Sequence, residues 1–492
     1  MRRRILGLAA TVLFAAGALP AAAVTTVVQP PVVASDNVEL VTTLPDAGAI
    51  STAFSKTSPV MYVNTLNGVS IYDIAAPASP KLLSVLPLPH FENERMTMGE
   101  RVDGTKFLLI GLDLYSASAK DPLNPNLGGY EFVVIDVTDP RAPVERSRLQ
   151  TSTSVHTIHC LGDACRNAYS AGAYDDGKFS IFDLSDLDNP REVKTTSSAA
   201  GSGHQWDYDD GGLLWHSGFG GIAAYDVNDP LNPVPVASTD TNGVEGNSKY
   251  NNFILHNSFH PFAQNFKQRN SKNGLTSGAP NLFSGNVLLA TEEDYDSPVC
   301  GGDAGEGTFS TWHIPYLDEG QYAKDNPTAT PGGGKIAPLD NWNTEILDSG
   351  VTTPVGAFCS AHYFTVNDSG FVAQAWYQQG TRILDVRDPY NIKQVGYFFT
   401  GAMETWIPYF VPEYGADGEQ TGRWTDLVYT NDVVRGIDVL RVDLPRTDPK
   451  DTKGKRAPVL PQWTTPTATT LATLQSRKSA NFGYVCPLLP GL

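Results

Sequence analysis

The stretch YEFVVIDVTDPRAPVERSRL (residues 130–149) sets out a grammar that recurs along the chain. An apolar, β-branched run ends in Asp and one more apolar residue, a Pro-containing turn follows, and a second strand-like run closes the unit. β-branched and aromatic residues favour a pleated strand, and Asp and Pro shape the turn between two of them. The same order stands in GVSIYDIAAPASPKLLSVL (68–86), KFSIFDLSDLDNPREV (178–193), GIAAYDVNDPLNPVPVAS (221–238) and TRILDVRDPYNIKQVGYF (381–398). Two degenerate copies, GTFSTWHIPYLD (307–318) and GIDVLRVDLP (436–445), carry His313 and Arg441 where the others carry Asp. Units of roughly forty or more residues, each with several strands, are the mark of a β-propeller.

The shared position falls at 73, 136, 183, 226, 313, 385 and 441, which predicts an all-β, seven-bladed propeller in one domain. The last copy lacks a second strand of its own, whereas NVELVTTLPDAG (37–48) resembles the second strand of the others. The N-terminal strand is therefore expected to complete the last blade, which removes the exposed edge of an open sheet. The predicted organisation is a signal peptide over 1–23, an N-terminal linker over 24–36, the propeller over 37–447 and a C-terminal linker or strap over 448–492. Asp73, Asp136, Asp183, Asp226 and Asp385 read as turn-shaping residues, since an Asp ahead of a turn accepts backbone N–H bonds.

Composition narrows the class. The formal net charge of −18 argues against a nucleic-acid binder, and a charged fraction of 18% is too low for a coiled coil. MRRRILGLAATVLFAAGALPAAA (1–23) has the basic start, short apolar run and Ala-rich end of a secretory signal. Its Arg2-Arg3-Arg4-Ile5-Leu6 string also fits a loose twin-arginine pattern. Export to an extracytoplasmic compartment, no membrane span and a monomeric state are expected. Five cysteines are then free to form disulfides: Cys160 with Cys165, Cys300 with Cys359, and Cys486 left over. A zinc knuckle from His156, His159, Cys160 and Cys165 fits no standard zinc spacing.

The strand–Asp–turn motif, seen as FVVIDVTDP, ILDVRDP and IAAYDVNDP, resembles the LVIVD-repeat family of exported bacterial β-propellers over about residues 37–445. That resemblance implies a fold and an exported location more than a reaction.

Counting back from the shared position exposes a second pattern. His204 precedes Asp226 by 22 residues, His362 precedes Asp385 by 23, and His156 precedes Asp183 by 27. Ser51 holds that place in blade one, and Thr97 and Thr405 or Trp406 fall near it in blades two and seven. His256, in ILHNSFHPF (254–262), is the comparable residue of blade five. Blades three to six thus carry His156, His204, His256 and His362 at the start of their innermost strands, four of only nine histidines. Innermost strands line the central channel side by side, so four imidazoles at one height can converge on an ion. All-imidazole ligation suits zinc, copper, iron or nickel better than calcium. A metal-free polar channel, a substrate-binding channel and plainly structural histidines are the alternatives.

His260 is a possible fifth ligand, His159 a supporting or structural residue, and Glu404 beside Trp406 a candidate general base. His90, His216 and His313 fall outside the register and read as structural. Acidic runs recur in loops at 175–176, 207–210 and 292–296; the last reads as a solvated loop in preference to a calcium site, since no calcium-loop spacing supports one. The insertions of blade five, 265–285 and 297–343, are candidate lids. In outline the His-lined propeller is similar to the selenium-binding protein/methanethiol oxidase family and to metal-dependent pectate-type lyases, with no full motif of either. Two functions stand: a metal-dependent enzyme acting on a small extracellular molecule, or a non-catalytic propeller whose face binds a protein or glycan.

Overall fold

The computed structural model describes residues 32–46, 48–88, 93–112, 130–172, 177–239, 254–271, 274–294, 307–317, 336–344, 360–400 and 403–444. The signal peptide, the tail beyond 447, His90, Asp175-Asp176, the Cys300–Cys359 pairing and Cys486 lie outside them.

Seven antiparallel four-stranded units form the ring. Their innermost strands are Ala49–Phe54, Thr97–Glu100, Thr157–Cys160, Gly203–Tyr208, Ile254–Phe259, Phe364–Val366 and Thr405–Tyr414, for blades one to seven in order. Blade seven takes its outer strand from Val38–Leu44, which pairs with Gly436–Val442, so the N-terminal strand does close the ring. One element was unforeseen. Val32–Ala34, placed by its sequence in a linker, pairs with Lys393–Thr400 as a fifth strand on the outer edge of blade six.

The repeated Asp does what its turn chemistry dictates. Asp73, Asp136, Asp183, Asp226 and Asp385 each accept the N–H two residues on, at 2.8–3.1 Å. The apolar residues between them face neighbouring blades, not the channel. One cluster joins Tyr62 and Ile71 of blade one to Leu108 and Ile135 of blade two. Equivalent clusters fill the next five gaps, and Met61 with Tyr429 and Val439 fills the last, between blades one and seven. Burial of apolar surface between blades therefore holds the ring shut, and the innermost strands are left free to carry polar groups on the axis. No helix among the described residues is long and apolar enough to cross a membrane.

Candidate metal centre

The residues that reach the axis do so through a shared irregularity. In blade four Gly203 pairs with Gly218 and Gln205 with Ser217, leaving His204 as an extra residue. In blade five Leu255 and Asn257 pair with consecutive residues and leave His256 extra. Ile50 of blade one and Trp406 of blade seven are set out in the same way. In blade six His362 and Tyr363 both hydrogen-bond to Ala375. Such a β-bulge re-aims one side chain without ending the strand. Blades two and three reach the same level before their strands begin. A parallel bridge joins Arg95 to Thr157, which sets Glu94 level with His156.

The ring at this height therefore runs Ile50, Glu94, His156, His204, His256, His362, Trp406. Two register assignments are corrected by it: Ile50, not Ser51, holds the place in blade one, and Glu94, not Thr97, holds it in blade two. Ser51 instead accepts the Met96 N–H through its hydroxyl.

All four imidazoles and Glu94 are fully buried. Glu94 Oε2 lies 3.2 Å from His156 Nε2, 3.0 Å from His204 Nε2 and 3.2 Å from His256 Nε2, and Oε1 lies 3.6 Å from His362 Nε2. The Nε2 atoms of His156 and His204 are 3.0 Å apart. The rings follow one another round the axis, with centroids 4.6, 4.0 and 4.2 Å apart.

Backbone carbonyls orient them. His204 Nδ1–H donates to the carbonyl of His256 and His362 Nδ1–H to that of Trp406, both at 2.9 Å. A proton fixed on Nδ1 leaves the Nε2 lone pair facing inward, as metal ligation needs. The His156 and His204 carbonyls take bonds from the Asn93 amide and the Thr157 hydroxyl.

A second carboxylate stands behind the first. Glu293, the last residue of Val287–Glu293, is fully buried with Oε2 3.5 Å from His256 Nε2 and Oε1 3.9 Å from His362 Nε2. Each carboxylate has a tyrosine: Tyr363 donates to Glu94 Oε2 at 3.2 Å, and Tyr377 to Glu293 Oε1. Burial raises the Glu94 pKa, but the neighbouring imidazoles outweigh it and hold the carboxyl well below its ordinary range. Burial and the charge of Glu94 push Glu293 well above. Where two carboxylates share a buried site, ionisation of one disfavours ionisation of the other, and a bound cation relieves that repulsion. Burial also lowers the pKa of His204 and His256, favouring the neutral ligand form.

Residues and metal chemistry fit on three counts. Among the described residues, the groups able to hold an ion are drawn from Glu94, Glu293 and the four histidines. Among the described residues the buried Nε2 of His362 has no hydrogen-bond partner, and that of His256 has only the Glu94 carboxylate. Donors about 2.1 Å from an ion stand about 3.0 Å apart at right angles and about 3.4 Å apart at the tetrahedral angle; the 3.0–3.2 Å spacings fall in that range.

Other expected participants lie elsewhere. Both ring nitrogens of His260 are engaged away from the cluster, Nδ1 with Asp209 Oδ2 and Nε2 with the Gly285 carbonyl, each at 2.6 Å. Glu404 joins none of the donor groups among the described residues; it is buried near Asp432, and burial followed by that neighbour raises its pKa to about 8. His159 accepts the Tyr208 N–H, His216 stacks on Trp206, and His313 donates to the Gly278 carbonyl. Cys160 and Cys165 form a disulfide, which rules out the zinc knuckle. Of the acidic runs, Asp210 is exposed, but most of the other described carboxylates are buried and engaged. Asp207 is ion-paired with Arg95 at 2.9 Å, Asp209 holds His260 and the Trp215 indole, and Glu292 and Glu293 are buried.

Below the ring the channel is occupied. The Arg95–Asp207 pair reaches across blade three, Tyr363 bonds Gln205 as well as Glu94, and Tyr409 accepts the Thr52 N–H.

No protein-family model matches the chain, so the LVIVD resemblance gains no support there, and no curated protein matches. The β-propeller domain of Cps50 (Swd1) from Myceliophteria thermophila superposes with a TM-score of 0.49 at 11% identity, over 82% of this chain and 100% of that one.

Proposed function

We propose that this chain is an exported β-propeller that holds one transition-metal ion on its axis and uses it to act on a small molecule. The observation that carries the reading is the convergence of four Nε2 atoms on one buried carboxylate, with two of the opposite ring nitrogens tied to backbone carbonyls. His156, His204, His256 and His362 are the neutral ligands, and Glu94 supplies the charge. A wet polar channel would leave such side chains exposed; here they are buried, at a desolvation cost that a bound cation offsets. Four imidazoles plus a carboxylate exceed what a closed tetrahedral zinc site takes, which favours iron, copper or nickel. When bound, such an ion supplies Lewis-acid or redox chemistry. The chain orients its ligands, excludes water and keeps a second carboxylate, Glu293, at the edge of the site.

Export rests on the signal-like leader and agrees with the Cys160–Cys165 disulfide, a bond that persists in oxidising compartments. The test is metal content by mass spectrometry of protein purified from its own export route, beside a His204→Ala/His362→Ala variant. About one equivalent of a single metal, absent from a folded variant, is expected. Metal-free wild-type protein would overturn the reading and return attention to the face loops and a protein or glycan partner.

A further inference from the structure

The two carboxylates are not equivalent. Glu94 Oε2 sits within 3.2 Å of three imidazole nitrogens. The nearest histidine nitrogens lie 3.5 and 3.9 Å from Glu293, and its Oε2, though buried, has no hydrogen-bond partner among the described residues. Beside it are the Nε2 of His362, which also lacks a hydrogen-bond partner among the described residues, and the Nε2 of His256, which has only the Glu94 carboxylate 3.2 Å away. One side of the cluster is thus closed by mutual contacts, while the other gathers two polar atoms without a hydrogen-bond partner among the described residues, Glu293 Oε2 and His362 Nε2, with His256 Nε2 between the two sides.

Tyr377 holds Glu293 there. Its hydroxyl donates to Oε1, and its ring packs 4.7 Å from that of His362. Its φ of 36° lies in the left-handed region, which non-glycine residues adopt only where the surroundings enforce it. The Gly380 and Thr405 N–H groups, both bonded to its carbonyl, do so here.

We propose that Glu293 is the ligand-facing carboxylate of the centre: its Oε2 accepts a hydrogen bond from a small protic molecule bound beside His256 and His362, and Tyr377 is the positioning residue that aims it. The inference rests on the metal reading above. It assigns the substrate class as a small molecule bearing an O–H, N–H or S–H donor.

The experiment uses the full chain loaded with Co(II), whose visible spectrum reports on its ligands. The probes are hydroxylamine, which keeps N–H and O–H donors when bound through nitrogen, and azide, which has none. In Glu293→Gln the Tyr377 hydroxyl claims the amide oxygen, so the NH2 group replaces Oε2 and meets the probe as donor against donor. Glu293→Gln and Tyr377→Phe are expected to keep one equivalent of cobalt and to weaken hydroxylamine about tenfold or more, with azide binding not weakened. Glu293→Leu checks that the loss follows the carboxylate and not the amide. Wild type without cobalt means that the metal reading itself has failed. With cobalt bound in wild type, three results overturn this inference: cobalt lost from Glu293→Gln as from Glu94→Gln, hydroxylamine affinity unchanged, or neither probe binding the wild type.

Discussion

His204 Nδ1–H donates to the carbonyl oxygen of His256, one blade further round the ring, at 2.9 Å. The bulge that sets His256 out of the strand register leaves its carbonyl to the preceding blade, so a single irregularity places one imidazole and orients another. Imidazole placement is therefore a property of the blade–blade contact.

The first prediction concerns charge. Glu94→Gln removes the carboxylate closest to the imidazoles while nearly preserving its shape. Metal affinity is expected to fall at least about tenfold, with far-ultraviolet circular dichroism unchanged. A competition titration against a chelator measures it; equal affinities would remove Glu94 from the ligand set.

Closure is tested at Val38, buried between blades six and seven on the N-terminal strand. Val38→Asp places an uncompensated charge there and is expected to cost about 3 kcal/mol or more in urea unfolding. Glu39→Gln, one residue on, loses only an exposed pair with Arg441 and is expected to cost less than about 1 kcal/mol. Similar costs for the two would mean that the strand does not hold the ring.

Packing between blades three and four centres on Trp206, whose indole lies 4.8 Å from Phe179 and donates to the Ser170 carbonyl. Trp206→Ala is expected to lose about 3–5 kcal/mol, since a rigid ring cannot collapse into the void. A loss below about 1 kcal/mol would contradict the packing account.

Much of this was legible in the sequence, for physical reasons that also explain the gaps. The strand–Asp–turn unit is local, so its seven copies and their Asp turns could be read directly, as could the missing strand that Val38–Leu44 supplies. Four histidines at one repeat position stood out because histidine is scarce here. Glu94 did not, because it precedes Asp136 by 42 residues, against 22 to 27 in blades three, four and six, and the added length between the blade's strands breaks the count; His256, 57 residues before His313, stood out only by its residue type. Glu293 was hidden differently. It ends the second strand of its blade, so the innermost-strand register never reaches it, and its acidic neighbours imitate a solvated loop. His260 looked available by its spacing, whereas its two hydrogen-bond partners are Asp209 in blade four and the Gly285 carbonyl. Such partners are invisible to a local pattern.

A pH prediction follows from the other buried acids. Burial and then Asp432 raise Glu404 to about 8, while burial and then Asp438 raise Asp432 itself to about 7. An acid that keeps its proton in the fold but loses it when unfolded stabilises the fold fully only below its ordinary pKa, and that stability is lost as pH rises through the folded value. The thermal midpoint should therefore decline between pH 5 and 8.5, less steeply in Glu404→Gln. On the acid side, burial lowers His159 and His216 to about 3, so their contribution, present above about 6.5, is lost as pH falls toward 3. Parallel alkaline curves for wild type and Glu404→Gln would show that Glu404 titrates normally.

X-ray absorption at the edge of the metal that copurifies tests the central claim most directly. The account predicts nitrogen and oxygen scatterers at about 2.0–2.2 Å, with the outer-shell multiple scattering of four imidazoles. Sulfur scatterers, one or no imidazole, or no metal edge above background would contradict it.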